Sequence, residues 1–91
     1  MKPFALREKL AARGITARTN LRDDLIVTRA DGRAMHFRAH PGGMYDWAAN
    51  RTKSSINQLD FRRSDERPIE EAVAAAVAFV EEARSAGGAS R

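Results

Sequence analysis

The residues equipped to do more than fold are two histidines and several arginines gathered around one short stretch. That stretch is Leu25 to His40, which reads LIVTRADGRAMHFRAH. His36 and His40 are the only histidines in the chain. On a helix, a spacing of four brings both side chains to one metal ion. In a strand the same spacing separates them by roughly 13 Å, and Arg29 and Arg38 beside them repel a cation. No metal site is expected. No cofactor is expected either, because neither phosphate-binding glycine pattern occurs and Gly42-Gly43 reads as turn chemistry. A histidine among arginines on a sheet face has the parts of a metal-independent ribonuclease, with His moving a proton while Arg stabilises phosphate charge. The plainer reading is a solvated surface histidine. Ser54 and Ser55 lie outside any nucleophile-elbow setting. The residues name no catalytic group and favour binding over catalysis.

The arginines suggest what is bound. Arg29, His36 and Arg38 form a ladder on one face of the predicted sheet. Arg51 and Lys53, among Asn50, Thr52, Ser54 and Ser55, make a loop dense in phosphate donors. Arg7, Lys9, Arg13, Arg18 and Arg22 add to the same half of the chain. Residues 1–63 hold thirteen Lys and Arg against six Asp and Glu, and residues 64–91 hold three against six. Thirteen of the sixteen basic residues are arginine, whose planar fork suits phosphates and base edges. With seventeen alanines beside it, the arginine excess also fits a GC-rich genome, which leaves the asymmetry unexplained. Tyr45 or Trp47 stacks on a base if it lies on the open face, although a lone Trp more often fills a core. The expected function is a small non-enzymatic protein binding nucleic acid or another polyanion through Arg29, His36, Arg38, Arg51 and Lys53. The second reading is a protein-interaction module, such as a small bacterial or phage regulator, inhibitor or accessory subunit. It would use the same face on an acidic surface, or its alanine-rich helix.

These side chains need a scaffold. Asp31-Gly32 reads as the two-residue turn of a β-hairpin, which sets Thr28 opposite Met35 and Ile26 opposite Phe37. One face then carries Ile26, Ala30, Met35, Phe37 and Ala39. The other carries Arg29, His36, Arg38 and His40, with Leu25 and Val27 at its far end. Before the hairpin, Phe4, Leu6 and Leu10 give a helix an apolar side, and Gly14 ends it with Ile15 folding back on Leu10. Thr16 to Arg22 is a polar connection. After Pro41-Gly42-Gly43, Met44 to Ala49 alternates as a third strand, with Tyr45 and Trp47 on one face. Ile56 to Arg62 is a fourth strand or a single helical turn. Arg63 to Arg67 is a charged link. Pro68 opens a second helix with Glu70 and Glu71 in its first turn, Ile69, Val73, Ala76, Val77, Val80 and Ala83 on one face, and Gly87-Gly88 at its end.

The predicted fold is α+β: a small antiparallel meander of three or four strands with an N-terminal and a C-terminal helix packed on one face. With 91 residues it forms a single domain over 1–88, and 89–91 is a frayed tail. The layout resembles that of the double-stranded-RNA-binding domain, without its motifs. The turn that carries lysines in that family reads Pro68-Ile69-Glu70-Glu71 here, and the chain is not assigned to it. The absence of cysteine excludes disulfides and thiolate chemistry and fits a reducing cytoplasm. Arg7, Glu8 and Lys9 interrupt the N-terminus before a secretory hydrophobic region forms. Ala72 to Val80, the longest uncharged apolar run at nine residues, falls short of the roughly 20 a membrane span needs. A cytoplasmic protein is expected, and Ala74 and Ala78 mark where a second copy would approach in a homodimer.

Overall fold

The computed structural model describes residues 3–49 and 66–89. Its elements are α1 (Phe4–Ala11), β1 (Arg18–Thr19), β2 (Leu25–Thr28), β3 (Ala34–His40), β4 (Met44–Ala49), β5 (Arg67–Pro68) and α2 (Ile69–Ala89). The strands form one antiparallel sheet in the order β1-β2-β3-β4-β5. This is the α+β layout with terminal helices, with five strands among the described residues where three or four were expected. The additional strands are two residues long, and two residues carry no periodicity to read. β1 lies inside the stretch read as a polar connection, and β5 begins at the end of the charged link. The strand or turn expected over Ile56–Arg62 lies outside the described residues.

Helix α1 stops where its glycine requires. The Gly14 N–H donates to the Ala11 carbonyl at 3.0 Å, and the Ile15 N–H reaches back to the Leu10 carbonyl at 2.9 Å. Gly14 sits at φ +77°, the left-handed position that this reversal demands. Ile15 is thereby turned onto the core.

The first two hairpins use the same three-residue loop. The Arg29 N–H donates to the Arg33 carbonyl and the Gly32 N–H to the Arg29 carbonyl, both at 3.0 Å. Asn20 and Asp24 repeat the first bond and Asp23 and Asn20 the second, both at 3.1 Å. The last loop residue is left-handed in each case, Gly32 at φ +87° and Asp23 at +62°. This is the turn-plus-bulge geometry typical of three-residue hairpin loops.

That loop corrects the expected register. Thr28 pairs with Ala34, Val27 with Met35, Ile26 with His36 and Leu25 with Phe37. One extra loop residue slides β2 by one position, and a slip of one moves every β2 side chain to the other face. Leu25, Val27 and Arg29 therefore join Met35, Phe37 and Ala39. Ile26 moves to the face of His36, Arg38 and His40, and Ala30 becomes an exposed turn residue.

Both helices pack on the face of Leu25, Val27, Phe37 and Tyr45. Leu6 and Leu10 come from α1 and Ala72, Val73, Ala76 and Phe79 from α2. Trp47 lies on this side too, its ring 5.6 Å from that of Phe37. Tyr45 and Trp47 are thus core-side residues, and neither is placed on the open face where it would stack on a base. Ala72 and Ala76, both fully buried, let the α2 backbone approach the sheet closely. Gly87 and Gly88 were expected to end α2, but the helix continues to Ala89. Glycine weakens a helix by about 1 kcal/mol without forbidding it.

Candidate functional site

Arg29, expected on the exposed ladder, is buried beneath α2. Its side chain is 4% exposed. Nε donates to Asp31 Oδ1 at 2.8 Å, Nη1 donates to the Phe79 carbonyl at 3.1 Å, and Glu82 Oε1 lies 3.4 Å away. The guanidinium stacks on the Phe79 ring, 4.4 Å from its centroid. Cation, ring and two carboxylates together fix the hairpin tip to α2. This is a fastening. The hydrogen bond to Arg29 also holds the Asp31 carboxyl below its ordinary value, against the weaker opposing effect of burial.

The opposite face carries the charged cluster of the molecule. Arg38 on β3 stands directly across from Asp46 on β4. Arg38 Nε donates to Asp46 Oδ1 at 3.0 Å, and a second guanidinium nitrogen contacts Oδ2. His40 Nε2 lies 2.9 Å from Asp46 Oδ1, and His40 Nδ1 lies 3.0 Å from Glu66 Oε1. The Asp46 side chain is 1% exposed. Burial alone pushes its carboxyl upward, and the hydrogen bonds from Arg38 and His40 outweigh it, leaving the group below the ordinary carboxylate value. The cluster sets Arg38 and His40 against two carboxylates. A ligand phosphate would compete with Asp46 for Arg38 and would lie close to a buried negative charge.

His36 occupies the same face in the row Ile26–His36–Ala48. It is 7% exposed, and among the described residues its Nε2 has no hydrogen-bond partner. Burial lowers the affinity of the ring for a proton, Asp24 partly offsets this, and Arg18 adds to it. Ile26, Ala34, Asp46 and Ala48 are buried here as well. The face is therefore not the open cationic plane the sequence suggested. Arg29, His36 and Arg38 are not brought together, since the first lies on the other side of the sheet. Arg51 and Lys53 lie outside the described residues.

Sequence reasoning missed Asp46 and Glu66. The signal for Asp46 was legible: with Pro41-Gly42-Gly43 as a three-residue turn, His40 opposes Met44 and Arg38 must oppose Asp46. Glu66 gave none, because its approach to His40 depends on β5 pairing with Met44 and Tyr45. Among the described residues no group of three or more His, Asp or Glu side chains could hold a metal ion. No described helix is long and apolar enough to cross a membrane. A groove of about 150 Å³ between the turn that follows α1 and helix α2 is lined by Arg13, Ile15, Val77, Val80, Glu81 and Arg84 and contains neither histidine.

Comparison of this five-stranded α+β domain with protein-family models, curated proteins and solved structures finds no match.

Proposed function

We propose that this chain is a small non-enzymatic binding protein that contacts the phosphate backbone of a nucleic acid. A division among its cations carries the reading. Arg29, Arg33, Arg38 and Arg67 are each held by carboxylates. Arg7, Lys9, Arg13, Arg18 and Arg22 are exposed and make no ion pair with a described residue. Residues 1–22 hold six basic residues against a single acidic one. A surface cation without a carboxylate partner binds phosphate without first breaking an ion pair, and the counterions it displaces drive association. Arg18 and Arg22 belong to the β1–β2 hairpin, at the edge of the sheet. Arg51 and Lys53, a few residues beyond β4, add donors whose position only the sequence supports.

The histidines support a binding role over a catalytic one. His36 is buried, and His40 has both ring nitrogens against carboxylates. The unpartnered nitrogen of His36 is shut off from a reacting group by burial, and the His40 nitrogens face carboxylates.

Fluorescence anisotropy with a labelled generic RNA and a labelled DNA duplex, at low and moderate salt, tests the proposal. Binding at low salt that weakens steeply as salt rises is expected, with a flatter dependence after Arg51→Ala/Lys53→Ala. Failure to bind either probe at low salt overturns the reading in favour of an acidic protein surface. RNA recovered in fragments overturns it in favour of a ribonuclease.

A further inference from the structure

His40 bridges two acidic groups carried by separate segments of the chain: Asp46 on β4 and Glu66 immediately before β5. An ionised carboxylate only accepts hydrogen bonds, so both contacts form together only when both ring nitrogens carry a proton. A neutral imidazole has one N–H and one lone pair, and a lone pair 3.0 Å from a carboxylate oxygen is repelled. One carboxylate must then let go. Asp46 cannot be rehydrated where it lies, since its side chain is 1% exposed and is also bound by Arg38. Glu66 is 44% exposed, and water replaces the ring at little cost.

We propose that His40 is a proton-operated clip. In its charged form it fastens the residue entering β5 to the β3–β4 hairpin, and in its neutral form it keeps Asp46 and releases Glu66. The released residue leads into Arg67–Pro68, which pairs with Tyr45 and Met44, and from there into α2 at Ile69. The proton on one ring therefore controls how firmly the last strand, and the start of the long helix, are tied to the sheet.

The charges around the ring are consistent with this. Asp46 faces it from β4, and Arg38, its own neighbour on β3, is engaged by Asp46. Glu66 faces it from the β5 side. The next residue, Arg67, is turned onto Glu71 of α2, with Nε 3.0 Å and its terminal nitrogen 2.7 Å from Oε1. Asp24, on the β1–β2 turn, acts electrostatically on Arg38.

Amide and histidine-ring NMR spectra of the full chain, recorded across the titration of His40, provide the test. The amides of Glu66 and Arg67 should shift in step with the His40 ring, while amides in β2 stay in place. His40→Gln, which cannot change charge, should abolish that step. Glu66→Gln, at an exposed position, should abolish the Arg67 step and leave the spectrum folded. A step at Arg67 that persists in either variant overturns the proposal. So does a His40 ring that titrates while Glu66 and Arg67 do not respond.

Discussion

Arg29, just past the end of β2, and Arg38 on β3 carry the same charge and face opposite problems of solvation. Arg29 is removed from water, and its burial is offset by Asp31, by a helix carbonyl and by the face of Phe79. A hydrogen bond to a charged group contributes about 1.5–3 kcal/mol, and a desolvated cation–ring contact about 2 kcal/mol. Because the two share one side chain they do not simply add, and Arg29→Ala should destabilise the fold by about 3 kcal/mol. Lysine lacks the fork that reaches two partners at once, so Arg29→Lys should recover less than half of that loss. Urea midpoints measured at unchanged m-value would show both effects.

His36 makes a prediction of its own. Burial lowers the proton affinity of the folded ring, whereas the unfolded chain takes up a proton near the ordinary value of 6.5. With the folded value depressed, the stability conferred by His36 is complete above that pH and is lost as pH falls below it. His36→Phe removes the titrating group and the unpartnered nitrogen together. The variant should lose less stability than the wild type between about pH 7 and pH 5, as read from denaturation midpoints at each pH. Asp46 acts in a lower window. Its folded carboxyl lies below the ordinary 3.8, so the stability it supplies disappears as the solution is acidified through and below that value.

Elements were legible from the sequence wherever local chemistry alone fixed them. Gly14 and Ile15 announced the end of α1, alternation announced β4 with its Tyr45/Trp47 face, and Glu70 and Glu71 announced the start of α2. What escaped notice depended on a count of one. Asp-Gly is a strong signal for a two-residue turn, but here Ala30 joins the loop and Asp31 uses its carboxylate to accept from the Arg33 N–H at 3.1 Å. That single residue moved Arg29 from the predicted binding ladder to the core. The candidate site was therefore legible in its residue types and only half legible in its placement: β3 presents the predicted face and β2 the opposite one. Gly32 is the hinge of this register. With Gly32 at φ +87°, Gly32→Ala should cost about 1–2 kcal/mol. Asp23→Gly, at the matching position of the other hairpin, should be neutral or mildly stabilising, since Asp23 already tolerates φ +62°. Thermal midpoints of the two variants should move in different directions or by clearly different amounts.

For the molecule as a whole, the question is which cations remain available once internal pairing is complete. The sheet face singled out by the sequence has its charges balanced by Asp46 and Glu66. Arg7, Lys9, Arg13, Arg18 and Arg22 keep theirs exposed. A polyanion would thus meet the hairpin edge and the outer side of α1 before it met the strands of the predicted ladder. The most direct measurement is the salt dependence of binding to a labelled DNA duplex for the wild type and for Arg18→Ala/Arg22→Ala. Each lost phosphate contact lowers the slope of log K against log salt by about 0.9, so the double variant should show a slope shallower by about 2. A slope identical to that of the wild type would contradict the account.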